Sequence, residues 1–149
     1  MDAQTDLDAL VNFLLPFAQE TLGKHGEFFP FAAQMSVEGE ITGIAIETED
    51  EDHPDSDVVI GALGDVLRTH AADGLIRACG ICSDTAVTIP EKGMTEAVRV
   101  SLEHAAAEPV DVYMPYKTEA AEYVFDDLVA MEGVREIFAG PEISDGAEW

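Results

Sequence analysis

Glu96-Ala97-Val98-Arg99-Val100-Ser101-Leu102-Glu103-His104, a loop from Ala105 to Pro109, and Val110-Asp111-Val112-Tyr113-Met114-Pro115-Tyr116 form the stretch that decides the fold. Val98, Val100, Leu102 and His104 alternate with Ala97, Arg99, Ser101 and Glu103, and Val110, Val112, Met114 and Tyr116 alternate with Asp111 and Tyr113. Period two marks a strand with one buried face, because successive side chains leave opposite sides of the pleat. Two such runs around a short loop predict an antiparallel hairpin.

Outward from this hairpin the period changes several times. Leu7, Leu10, Val11, Leu14 and Ala18 recur at helical spacing behind Thr5 and Asp8, which fit a capping box, and the helix should end near Gly23. Pro16 lies within it and predicts a kink or break, since proline removes an i to i−4 hydrogen bond. Phe29, Phe31, Ala33 and Met35 alternate, Glu38-Gly39-Glu40 turns the chain, and Ile41 to Ile46 returns, which reads as a second hairpin. Val59, Ala62, Leu63, Val66, Leu67 and His70 share one face of a second helix from about Asp57 to Gly74, with His70 read as a satisfied core histidine. Ile76 to Ile89 supplies one long or two short strands. Tyr123 to Phe138 fits neither period and reads as a strand pair or as a strand and short helix.

This order predicts a single α+β domain over residues 1–140, with two main helices packed on an antiparallel sheet of about five to six strands. Residues 141–149 are expected to form an acidic mobile tail. At 149 residues with 47% hydrophobic content the chain has the length for one real core. Asp2, Asp6 and Asp8 stand where a secretory signal would carry basic residues, and no apolar run approaches the roughly 20 residues of a membrane span. A cytoplasmic location is the expectation.

Charge narrows the function classes. The chain holds 31 Asp plus Glu against 7 Lys plus Arg, a formal net charge of -24. The seven cations are scattered, so no basic patch is available to displace counterions from a nucleic acid or an anionic membrane, and neither is expected as a partner. Seven carboxylates fall between Glu47 and Asp57, a run that reads as a solvated loop. The acidity can serve salt adaptation, a face for a basic protein partner, or a carboxylate metal site. A calcium loop started at Asp50 would place Pro54 fifth and Asp55 sixth, where glycine is needed, so that motif fails.

Cys79-Gly80-Ile81-Cys82 invites a redox or zinc reading, but Ser83-Asp84-Thr85-Ala86-Val87-Thr88-Ile89 follows it as an extended, β-branched run. Thioredoxin chemistry places the pair at a helix start; on a strand, i and i+3 face opposite sides, which favours two buried thiols over a redox pair or a zinc half-site. Neither an internal repeat, a Gly-rich phosphate loop nor a nucleophile elbow is present, and Ser36, Ser56, Ser83 and Ser101 lack a local base. No cofactor is expected.

The segments Glu27 to Ala33, Glu96 to His104 and Val112 to Tyr116 resemble a group of small, uncharacterised bacterial cytosolic proteins. The resemblance implies an α+β fold and assigns no activity. The residues themselves point to a small acidic, non-enzymatic interaction or regulatory protein, expected to be a homodimer. Its interface would be the broad apolar face of the first helix, where Phe13 and Phe17 flank Leu10 and Leu14. The alternative is a small-molecule-binding protein or cryptic enzyme that uses Arg99, Glu103 and Tyr113, with Arg99 and Glu103 otherwise forming a structural ion pair on one strand face.

Overall fold

The computed structural model describes residues 3–26, 28–46, 56–90 and 93–138, so the tail and most of the acidic loop lie outside the described residues. The first helix, α1, spans Ala3–His25 and is followed by β1 (Phe31–Ser36), β2 (Ile41–Ile44), α2 (Ser56–Ala72), β3 (Ile76–Ile89), β4 (Gly93–His104), β5 (Ala107–Glu119), β6 (Glu122–Phe125) and β7 (Val129–Glu132). The described strands form one seven-stranded antiparallel sheet, ordered β2-β1-β3-β4-β5-β6, with β7 also paired to β5. No helix among the described residues is long and apolar enough to cross a membrane.

The two helices cover opposite faces of this sheet. Leu7, Leu10, Leu14, Ala18 and Leu22 of α1 pack on Ala33, Met35, Cys82, Val98, Val100 and Leu102. On the other face Val59, Leu63 and Leu67 of α2 meet Ala32, Ile76 and Cys79, joined by Ile137 and Phe138. Cys79 and Cys82 are therefore free, buried and on opposite faces, as the strand reading requires. A strand covered on both sides loses its polar alternation, which is why Ala78 to Cys82 carries no charged side chain.

Proline does not interrupt α1. Pro16 sits on the exposed side of the helix, where the carbonyl of Asn12 that loses its partner is left to water. Thr5 lies inside the helix, so it is not the cap, and the helix runs past Gly23 to His25, followed by Gly26, whose φ of +77° suits a left-handed terminus.

Seven strands replace the expected five or six because, among the described residues after Glu119, the chain makes two short strands and no helix. Glu122–Phe125 pairs with Tyr116–Glu119, and Val129–Glu132 pairs with Val110–Tyr113, so β6 and β7 lie in succession along one edge of β5. Asp126, Asp127 and Leu128 break the line between them. An interrupted edge strand shows neither a clean period of two nor one of 3.6, which accounts for the ambiguous sequence signal.

Candidate functional site

Odd-numbered residues of β4 face the α2 side. Arg99 lies directly across from Tyr113 on β5, Ser101 from Asp111, and Glu103 from Cys79 on β3. Arg99, Ser101 and Glu103 line a cleft of about 240 Å³ with Ser83 and Asp111, beneath the first turn of α2. Tyr113 shares the face with Arg99 but is not among the cleft's lining residues.

Arg99 and Glu103 do not form the expected ion pair. The Arg99 Nη2 donates to Asp111 Oδ2 at 3.1 Å, and its buried Nε has no partner. Glu103 is spent elsewhere: the residue is 6% exposed, and its carboxylate accepts the backbone N–H groups of Glu136 at 2.7 Å, Ile137 at 3.0 Å and Phe138 at 3.1 Å. Three successive amides converge on one carboxylate and latch the segment after β7 across the cleft. Arg135 adds a second hook, with Nη1 donating to the His104 carbonyl at 3.3 Å and Nη2 to the Ala107 carbonyl. At Gly133 an added Cβ would come within 3.0 Å of the Val110 backbone nitrogen, so only glycine lets the strap start this close to β5.

His104 faces the α1 side but is not packed among apolar groups alone. Its Nε2 lies 2.8 Å from Asp6 Oδ2, and its Nδ1 accepts the Ala106 N–H at 3.0 Å, which leaves Nε2 as the nitrogen that donates to Asp6. Arg77 donates to both Asp6 oxygens, at 3.1 and 3.0 Å. A bulge makes this possible: Met35 pairs with Ala78 but Ser36 with Ile76, leaving Arg77 as the extra residue, re-aimed toward α1. Burial pushes the Asp6 carboxyl up, but the bonds from Arg77 and His104 outweigh it and hold Asp6 below the usual carboxylate range. The group anchors the N-terminal turn of α1 to the sheet. His70 is satisfied too, its Nδ1 lying 2.7 Å from Gln34 Oε1.

Farther along the α1 face, the Tyr116 hydroxyl lies 2.7 Å from Asp84 Oδ1 and 3.0 Å from Glu96 Oε1. One phenol proton serves two carboxylates. Desolvation, then the neighbouring Glu96 charge, raises Asp84 above its ordinary value despite the hydrogen bond, and burial beside the two acids pushes the Tyr116 phenol up.

No protein-family model, curated protein or solved structure matches this chain. What it does must follow from its own surfaces.

An exposed apolar surface lies at the opposite end of the sheet. Phe13 and Phe17 of α1 are 44% and 55% exposed, and with Phe31, Gly43, Ile44 and Ala45 they line a groove of about 370 Å³ that is almost entirely apolar. Phe17 stacks edge-on against Phe31 at 4.9 Å, which fixes its ring on one wall. The outer wall is β2, the end strand of the sheet. Phe13 and Phe17 were legible as a second apolar stripe on α1; that β2 would lie beside them was not, because strand order is not written in local pattern. Among the described residues no group of three or more metal-ligating side chains occurs.

Proposed function

We propose that the protein is a non-enzymatic interaction protein that binds a basic partner protein through the groove formed by α1, β1 and β2. The observation that carries this reading is the exposure of two phenylalanines in an almost wholly apolar groove on a chain of net charge -24. An apolar patch supplies burial, and surrounding charge of one sign selects a partner of the other and speeds encounter. The same groove would fit a second copy of the chain, the homodimer that the sequence leads one to expect, but there the two charges of -24 oppose association. The test is selection of displayed peptides on the immobilised protein and on a Phe13→Ser, Phe17→Ser variant. Enrichment of sequences that combine Lys or Arg with apolar residues, lost on the variant, supports the reading; enrichment without positive charge, or equal enrichment on both, rejects it.

A second reading has the cleft behind it. Arg99, Ser83 and Ser101 present one guanidinium and two hydroxyls to a space of about 240 Å³ that Asp57, Glu103, Asp111 and Glu136 also line, so a small molecule there would set one anionic group against Arg99 and keep the rest of its charge neutral or positive. An incoming anion would compete with Asp111 for the guanidinium. Nuclear magnetic resonance titration with acetate and inorganic phosphate tests it. Shifts at Ser83, Ser101 and the Arg99 side chain that vanish in Arg99→Gln support the cleft, and unmoved signals remove it.

A further inference from the structure

The edge of β2 specifies how a partner would sit in the groove. In an antiparallel ladder, residues bonded to the neighbouring strand alternate with residues whose N–H and C=O point away. The Ser36 N–H donates to the Glu40 carbonyl at 2.8 Å, so the pair Ser36 and Glu40 is a bonded one. Counting along the register, with Gln34 opposite Thr42 and Ala32 opposite Ile44, Thr42 and Ile44 bond inward to β1. Ile41 and Gly43 then turn their N–H and C=O groups outward, and among the described residues no strand pairs with that side of β2. Phe13 overhangs the same place: a Cβ built on Gly43 would lie 3.5 Å from the Phe13 ring. Charge brackets the edge in sequence. Glu38 and Glu40 precede β2, and the acidic run begins at Glu47, directly after Ile46.

Resting on the interaction reading above, we infer that the partner contributes an extended segment that adds as a further strand to the outer edge of β2. Its apolar side chains on one face lie under Phe13 and Phe17, and lysine or arginine residues flank them to meet the exposed carboxylates of Glu38 and Glu40 at the start of β2. Main-chain bonds to Ile41 and Gly43 supply the docking geometry and alternate side chains the selectivity.

The probe is a labelled synthetic peptide in which alternating valine and phenylalanine residues are set between two lysine pairs, with binding followed by fluorescence anisotropy. Gly43→Pro removes an outward N–H without touching the ladder to β1, and proline is tolerated at such an edge position. Gly43→Ala keeps that N–H and adds a Cβ at ordinary contact distance from Phe13. The expected result is binding to the native protein and to Gly43→Ala, and at least about tenfold weaker binding to Gly43→Pro, comparable to the loss of one or two main-chain hydrogen bonds. A peptide N-methylated at alternate residues on its bonding edge gives the same answer with the native protein, should Gly43→Pro fail to fold. Replacing the lysines by glutamates should abolish binding.

Equal affinity for Gly43→Pro and the N-methylated peptide, combined with loss in Phe13→Ser, Phe17→Ser, overturns strand addition and leaves the basic-partner reading standing. No binding of the lysine peptide by the native protein overturns the inference. A dimer in light scattering that dissociates in Phe13→Ser, Phe17→Ser would make the occupant a second copy and overturn both.

Discussion

Replacing Glu103 by alanine should release the strap that follows β7. The carboxylate holds three backbone N–H groups, and with Ile137 and Phe138 buried, two of those donors cannot reach water while the strap stays in place. A buried donor without a partner costs about 1–3 kcal/mol, so a strap that stayed down would lose about 2–6 kcal/mol. Release forfeits about 3–6 kcal/mol of apolar burial from Ile137 and Phe138. It also returns about 1–2 kcal/mol of backbone entropy for each freed residue, which over residues 134–138 offsets that loss. Release is the cheaper route, and with burial and entropy cancelling, the net destabilisation is what the lost hydrogen bonds to the charged carboxylate contributed, about 2–3 kcal/mol. For a chain of this size that is a fall in Tm of roughly 4–12 °C. Glu103→Gln keeps one acceptor oxygen and should lose about half as much. Urea unfolding gives the magnitude, and hydrogen exchange gives the mechanism: the amides of Ile137 and Phe138 should lose protection while Val98 and Val100 keep theirs. Glu103→Ala within about 0.5 kcal/mol of the native protein, with those two amides still protected, would refute the latch.

The Asp84 carboxyl is raised in the folded state, so its contribution to stability is present below its ordinary value near 3.8 and is lost as pH rises through the raised value. Asp84→Asn keeps an acceptor for Tyr116 and should be more stable than the native protein above that window, the difference closing toward acid; a constant difference in pH-resolved urea melts would contradict the assignment. Burial pushes both thiols up, Cys82 further beside Asp84 and Cys79 beside Glu103, so native-state titration with an aromatic disulfide at pH 8 should be slow and become rapid only in denaturant. Prompt reaction of either cysteine would show that its layer opens. Self-repulsion at -24 predicts a Tm that climbs between low salt and 1 M sodium chloride, and a smaller climb when Glu49, Asp50, Glu51 and Asp52 become amides; a flat salt dependence would mean that specific ion pairs outweigh the net repulsion.

The parts of the fold that were legible in the sequence are those where one element's own pattern reports its environment. The alternation of Val98, Val100 and Leu102 announced β4 because one face of it meets α1, and the spacing of Cys79 and Cys82 announced opposite faces because a strand repeats every two residues. Long-range polar partners leave no such trace. Asp6 and His104 meet across 98 positions, and Glu103 meets amides 33 to 35 positions away, where backbone groups carry no residue identity to read. Arg99 and Glu103 looked like a pair because local spacing was the only information available; the register placed Asp111 and the strap nearer. Pro16 misled for a related reason: its penalty depends on whether the orphaned carbonyl can find water, and exposure of that helix face is a tertiary property.

The two ends of the sheet differ in a way that limits how this molecule can assemble. At the β6–β7 end the outer strand is short, broken by Asp126 and Asp127, and offers no uninterrupted row of amides. At the β2 end, Ile41 and Gly43 present a ready template. A sheet receptive at both ends would template filaments, each addition exposing the next. If strands add at β2 as proposed, one receptive end and one blunted end give this chain a valence of one, and copies of it would have no second edge through which to polymerise.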